Sequence, residues 1–189
     1  MNVKDDGDIA KCVALARRTL AIDAPVTVLC IGAVQTVVAA GRFNEPPVVF
    51  RIPIGHDGPG WLAFGNDTPT PLALEHAIAE VEDAIMPLAR HLPRPSTLVG
   101  VGGAVRTVVQ AATPRASGVD LSIQDLEALF EQMAAVSQGR PSASSGVPAG
   151  APFAATLLIL RETMHHLGFD ALSMASEPYP PRDPSRTPP

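Results

Sequence analysis

Between Pro25 and Gly55 three short apolar runs follow one another with little chain between them, and this spacing constrains the fold more than any other feature. Val26-Thr27-Val28-Leu29-Cys30-Ile31 ends at Gly32, Thr36-Val37-Val38-Ala39-Ala40 is closed by Gly41, and Val48-Val49-Phe50-Arg51-Ile52 ends in a Pro53-Ile54-Gly55 corner. Each run is too short for a helix, is rich in β-branched residues and is bounded by turn residues, so each reads as a strand. The connections, including the 42–46 turn that holds Asn44, are far too short for a parallel crossover. The strands therefore form an antiparallel meander.

Helices flank it. Over 8–21, Ile9, Cys12, Val13, Ala16 and Leu20 recur at helical spacing, with Lys11, Arg17 and Arg18 off that face. Residues 55–70 read as loop, with His56-Asp57 solvated. Pro71 opens a long helix whose buried stripe is Leu74, Ile78, Val81, Ile85 and Leu88, with Glu80, Glu82 and Asp83 on its outer face. Pro87 is expected to kink it. Ser96 to Val101 is a fourth strand, and Gly102-Gly103 opens a helix through Ala112. Ser122 reads as the N-cap of the next helix, with Asp125 as an acidic variant of the capping box and Leu121 and Leu126 at staple positions. Leu126, Leu129, Phe130, Met133 and Val136 form its core face. Residues 137–150 are a low-complexity loop, expected to be mobile. A helix over 152–167 and a strand at Leu172-Ser173-Met174 follow. The order α-βββ-α-β-α-α-α-β is the plan of one α/β lobe of the actin-like, ribonuclease H-like superfold: a mixed sheet with a three-strand antiparallel meander and flanking helices. This step is an analogy of element order, and a fold does not by itself give a function.

A chain of 189 residues suits one domain and needs no disulfide or metal staple. Aromatics are only 4%, so Ala, Val, Leu and Ile must build the core. The net charge is -5 and no basic cluster exceeds Arg17-Arg18, which excludes a nucleic-acid footprint. The longest apolar run, Phe153 to Leu160, is too short to span a bilayer, and no signal-peptide core is read. Cys12 and Cys30 have no CxxC partner and no histidine at metal-ligand spacing, which fits a reducing, cytoplasmic setting.

The strongest site signal is Val99-Gly100-Val101-Gly102-Gly103-Ala104-Val105-Arg106-Thr107, a strand entering a helix through glycines. Such a turn can bring backbone N–H groups and the positive end of the helix to an anion. It can equally be a tight connection that needs glycine for geometry alone. Ile31-Gly32-Ala33-Val34-Gln35-Thr36 reads as an ordinary hairpin, because Ala33 and Val34 crowd a close approach. Cys30 reads as a core residue. His165 and His166 point to different faces of their helix and chelate poorly; their position at its C-terminal end suits the dipole. No Gly-x-Ser-x-Gly elbow, P-loop lysine or HExxH occurs. The residues alone offer one anion cradle, no catalytic set, no metal site and no cofactor site.

From about residue 7 to 174 the order and wording resemble the Ppx/GppA family of exopolyphosphatases and guanosine-pentaphosphate phosphatases. The family's Asp-Ile-Gly-Gly-Gly-Ser-Thr-Glu motif corresponds to Cys30-Ile31-Gly32-Ala33-Val34-Gln35-Thr36-Val37. Its Ser-Leu-Pro-Leu-Gly corresponds to Arg51-Ile52-Pro53-Ile54-Gly55, and its Gly-Thr-Gly-Gly-Thr to Gly100-Val101-Gly102-Gly103-Ala104. Leu121 to Leu129 is similar to its Leu-Thr-x-x-Asp-Leu-Glu-x-Leu, and Met164 to Ser173 to its Met-x-x-Leu-Gly-Leu-Asp-x-Leu-Thr. The resemblance implies an actin-like lobe over 1–176, the C-terminal half of the family fold without its N-terminal lobe; the Pro-rich composition of 177–189 reads as a disordered or extended tail.

The family hydrolyses terminal phosphates with Mg²⁺, and the departures here fall on the residues for that work. The glutamate that positions water falls at or beside Ile9. The motif aspartate becomes Cys30, two glycines become Ala33 and Val34, and the serine becomes Gln35. An Arg-Ala-Asp element is missing around Gly150-Ala151-Pro152, and the Ser-Asp-x-Gly-Leu-Arg ending is replaced by Ala175-Ser176-Glu177-Pro178-Tyr179-Pro180. The resemblance therefore implies a non-catalytic binding or interaction domain. Gly100, Gly102, Gly103, Arg106 and Gly32 are its phosphate-binding candidates, polyphosphate or a guanosine polyphosphate its weak ligand, and Mg²⁺ is relevant only if activity remains. It also implies a homodimer or a lobe-bearing protein partner. Two alternatives stand beside it: half of a hydrolase completed by another chain, and the remnant of a decayed gene.

Overall fold

The computed structural model describes residues 13, 14, 16, 24–42, 45–64, 69–114, 120–141 and 146–175. The meander is present as β1 (Val26–Ile31), β2 (Thr36–Gly41) and β3 (Val48–Ile52), paired antiparallel in turn. β4 (Thr97–Val101) runs parallel to β1, with Cys30 opposite Val101. β5 (Asp120–Ser122) and β6 (Ala171–Met174) complete a six-stranded mixed sheet in the order β3-β2-β1-β4-β6-β5. β5 was not expected: it is three residues long and ends on Ser122, the residue that caps the next helix.

Among the described residues four further helices are bounded: α1 (Pro71–Ile85), α2 (Gly103–Ala112), α3 (Ile123–Ser137) and α4 (Ala151–His166). Thr70 caps α1, its hydroxyl oxygen accepting from Ala73 N at 3.2 Å. The kink expected at Pro87 takes the form of a tightening to a 3-10 helix over Met86–His91, because proline removes a donor and crowds the preceding turn. Ser122 caps α3 as expected, accepting from Asp125 N at 3.1 Å and donating to its carboxylate at 2.5 Å. Leu121 and Leu126, the staple pair, are both fully buried. The expected loop over 55–70 contains a 3-10 helix, Pro59–Phe64, whose Trp61 and Phe64 rings are buried 5.0 Å apart.

Successive strand residues point to opposite faces, and here both faces are covered. Leu29, Ile31, Val38 and Ala40 pack into a large core with residues of all four helices, and α4 is buried from Ala154 through Leu160. Val26, Val28, Cys30, Val37, Ala39, Val99 and Val101 form a second core with Val13 and Ala16. Burial on both faces explains why β1 and β2, apart from Thr27 and Thr36, are apolar rather than alternating. The helix expected over 8–21 falls mostly outside the described residues; Val13, Ala14 and Ala16 within it are helical. The expected tail over 177–189 lies wholly outside them. Among the described residues no helix is long and apolar enough to cross a membrane.

One charged network ties the helices together. Arg161 on α4 donates from Nε to both carboxylate oxygens of Glu127 on α3, at 3.0 and 2.9 Å, and from Nη1 to Glu162 at 2.5 Å. Its guanidinium lies 4.3 Å from the centroid of the Phe130 ring. His166 Nε2 stands 3.1 Å from Glu162 and 3.8 Å from Glu82 on α1, which therefore is more than an outer-face residue. Burial alone would lower the Arg161 pKa, but the hydrogen bond to Glu127 and the attraction of Glu162 and Glu127 outweigh it and raise it. A raised folded-state pKa means that this stabilisation is fully present below the ordinary arginine range and is lost only above it.

Candidate functional site

In open α/β sheets the ligand crevice forms beyond the carboxyl ends of parallel strands. β1 and β4 are such a pair. Past Ile31 the chain turns through residues 32–35 into β2, and past Val101 it enters α2 at Gly102. These two connections, with Cys30, Val37 and His56, enclose a cleft of about 390 Å³, within the usual range for small-ligand sites. The hairpin turn is thus half of a cleft rather than an ordinary connection. Val34 at its tip is 69% exposed.

The candidate glycines divide by role. Gly102 has φ 94°, a conformation that other residues rarely adopt, and it is the N-cap of α2. No side chain caps that helix, and its first intrahelical bond is from Arg106 N to Gly102 O at 3.2 Å. The preceding N–H groups have no intrahelical acceptor, and they lie at the positive end of the helix beside the cleft. A Cβ on Gly103 would meet open space, so this glycine leaves the approach clear.

Gly32 lines the cleft and donates to Gln35 O at 2.9 Å; a Cβ there would sit 2.9 Å from the same oxygen. Gly100, by contrast, lies inside β4, where a Cβ would meet Met174, Val105 and Leu172 at 2.9–3.1 Å. Its small size serves packing below the cleft. Arg106 does not line the cleft and donates to Ala175 O at 3.3 Å.

The 53–57 corner holds the hairpin turn in place. Thr36 Oγ1 donates to Ile54 O at 2.7 Å, His56 N to Gly32 O at 2.9 Å and Asp57 N to Ala33 O at 2.7 Å. Trp61 Nε1 donates to Gly55 O. Gly55 itself lies so close that a Cβ would come within 2.4 Å of Ala33 O. His56 is not simply solvated: it lines the cleft, and its Nδ1 is buried without a hydrogen-bond partner. Leaving such a nitrogen unpaired typically costs about 1–3 kcal/mol. Gly55 is legible in sequence only as the end of the Pro53-Ile54-Gly55 corner, and no periodicity or motif flags His56; what both do depends on contacts distant in sequence. Cys30 joins the second core as expected and also reaches the cleft.

No protein-family profile and no curated protein matches the chain. Solved structures do. The Ppx/GppA enzyme of Aquifex aeolicus superposes with a TM-score of 0.66 at 18% identity, covering 87% of this chain and 57% of that one. An exopolyphosphatase from Cytophaga hutchinsonii gives a TM-score of 0.65 at 14% identity, covering 88% of this chain and 59% of that one.

The chain has the fold of the Ppx/GppA phosphatases.

It spans less than two thirds of the length of either structure. The Mg²⁺ that the Ppx/GppA resemblance implies can be tested against the cleft. Mg²⁺ takes hard oxygen ligands in octahedral geometry, usually with one or two carboxylates. The lining residues carry no carboxylate, and the Gly32, Ala33 and Gln35 carbonyls already accept hydrogen bonds. The Cys30 thiol and the His56 imidazole suit softer metals. The residues present do not fit Mg²⁺.

Proposed function

We propose that this chain is a non-catalytic binding domain on the Ppx/GppA fold, and that it holds a phosphate group weakly at the start of α2. The observation that carries the reading is the meeting of two glycine-bearing turns in one cleft, at the positive end of an uncapped helix. Cys30, Ala33 and Val34 stand in that cleft where the resemblance expects an aspartate and two glycines. General-base assistance contributes about 10²–10⁴-fold, and electrostatic stabilisation of the transition state is usually the larger effect. With both lost, little turnover remains.

A half-cradle without metal binds phosphate with a Kd of about 1 mM or weaker, equivalent to about 4 kcal/mol at most. Two measurements on the purified chain test the reading. Inorganic phosphate at tens of millimolar, roughly ten times that Kd, is expected to shift the backbone amides of Gly102, Gly103 and Ala104. Phosphate release from polyphosphate or guanosine pentaphosphate with Mg²⁺ is expected to stay far below about 1 s⁻¹. Still amides throughout 100–106 would overturn the binding claim, and turnover near that rate would overturn the non-catalytic one.

A second reading starts from the fold shared with the neighbouring structures, of which this chain covers 57–59%. In it, this chain is one lobe of a hydrolase, and another polypeptide supplies the other. Either reading is compatible with self-association, because β3 lies at a sheet edge with Val48 54% exposed. Light scattering at tens of micromolar, an order-of-magnitude choice that brackets weak association, is expected to give a dimer mass. A clean monomer there would rule out the homodimer.

A further inference from the structure

Charge is what the cleft lacks. Among the described residues, those that line it include no lysine, arginine, aspartate or glutamate. Arg106 on α2 is turned to Ala175 O instead. The positive end of α2 amounts to about half an elementary charge, enough to suit one negative charge. Each further charge of a polyanion would lose water with no cation opposite it. A second cavity of about 270 Å³ adjoins the cleft and shares His56 and Ala104 with it. Thr107 on α2 and Pro152, Phe153 and Thr156 on α4 complete its wall, again without a charged side chain among the described residues. Both threonine hydroxyls already donate within their own helices: Thr107 Oγ1 to Gly103 O at 3.0 Å, and Thr156 Oγ1 to Pro152 O at 2.7 Å. This chamber therefore presents methyl, methylene and ring carbon.

One polar group stands between the two cavities. His56 Nδ1 is, among the described residues, the one buried side-chain nitrogen or oxygen without a hydrogen-bond partner. In the tautomer that carries its proton there, it is a donor without an acceptor. A carboxylate is an acceptor only and carries a single charge. An apolar body attached to it would leave water for the chamber wall, with a ring gaining contact with Phe153 and Pro152. We infer that the two cavities together take a monocarboxylate with an apolar body, of the class of arylalkyl acids. Its carboxylate sits at the start of α2 beside His56, and its body fills the chamber. This rests on the reading of the α2 start as an anion cradle and goes beyond it. Phosphate alone leaves the chamber empty, which agrees with its weak binding.

The test titrates the full chain with 3-phenylpropionate, acetate, 3-phenylpropanol, inorganic phosphate and tripolyphosphate, by calorimetry and by amide shifts. Burial of the phenylalkyl group predicts that 3-phenylpropionate binds about tenfold tighter than acetate or phosphate. Its shifts are expected to extend from 102–104 to Thr107, Phe153 and Thr156. The alcohol, which lacks the charge, is expected to bind about tenfold more weakly than the acid, the scale of a charge-assisted hydrogen bond. Tripolyphosphate is expected to gain nothing over phosphate. Phe153→Ala is expected to bring the phenylpropionate-to-acetate affinity ratio close to one. Thr107→Leu, at an exposed position, fills the chamber from outside the core and is expected to lower the same ratio even if the first variant folds poorly. Equal affinities for 3-phenylpropionate and acetate, with the 102–104 amides moving for both, would overturn the chamber and leave the cradle standing. Tripolyphosphate binding tighter than 3-phenylpropionate would overturn the preference for a single charge. An alcohol that binds as tightly as the acid would overturn the link to the helix end. Still amides with every probe would overturn both the inference and the cradle.

Discussion

Replacing Arg161 with alanine lowers the unfolding free energy by about 3 kcal/mol, near the lower end of the range for breaking a buried ion pair. The loss comes less from the pair than from what remains. The Glu162 side chain is only 2% exposed, and removing Arg161 leaves it facing His166 without its guanidinium partner. A buried carboxylate short of its cation is expensive to keep charged. The variant also gives up the stacking on Phe130 and the two bonds to Glu127, contacts that fasten α4 to α3. The lower end of the range applies because 21% of the Arg161 side chain still meets solvent. Urea unfolding measures the effect directly. Arg161→Met combined with Glu162→Met should recover most of the loss, because the one carboxylate then left without its cation, Glu127, is 31% exposed and reaches water. A single-variant loss under about 1 kcal/mol, the scale of an exposed pair, would show that the network is only a surface feature.

Gly55→Ala costs about 2–3 kcal/mol, toward the upper part of the range for overpacking a tight site. The added methyl would lie 2.4 Å from Ala33 O, 2.5 Å from Ala33 C and 2.5 Å from Gln35 N. All three are backbone atoms, so no side chain can swing aside. Either the 53–57 corner or the 32–35 turn must move, and each movement loses bonds that hold the cleft closed on that side. The midpoint of thermal unfolding should fall by roughly 4–12 °C for a chain of this size. The cleft amides should shift even without ligand. Gly103→Ala is the control: its methyl would enter open space, and its effect should stay within about 0.5 kcal/mol. Equal effects of the two substitutions would mean that the corner does not brace the turn.

Much of the fold was legible because its signals are local. β1, β2 and β3 are short β-branched runs cut by glycine and proline, and their pairing follows from connections too short for anything else. The cap of α3 was readable for the same reason, since Ser122, Asp125, Leu121 and Leu126 act within two turns of chain. β5 was hidden: three residues carry no period, and only pairing with β6 makes them a strand. The 3-10 helix at Pro59–Phe64 was hidden in a loop-like composition, because what orders Trp61 and Phe64 is burial in the large core.

The site divides along the same line. Local steric rules made the Gly102-Gly103 turn a candidate, since a strand that enters a helix through glycines leaves backbone N–H groups uncovered. Those rules could not separate Gly100 from its neighbours, because what fills the space beside it is Met174 and Leu172 from β6. Nor could they place Arg106, whose partner is Ala175. The sequence by itself determined the longer strands, the α-helices and the glycine turn, because steric limits and periodicity act between residues close along the chain. Only the tertiary structure decided that there is a cleft. The parallel pairing of β1 with β4 brings the hairpin turn to the start of α2, and the contact of Gly55 with Ala33 carries His56 to their junction.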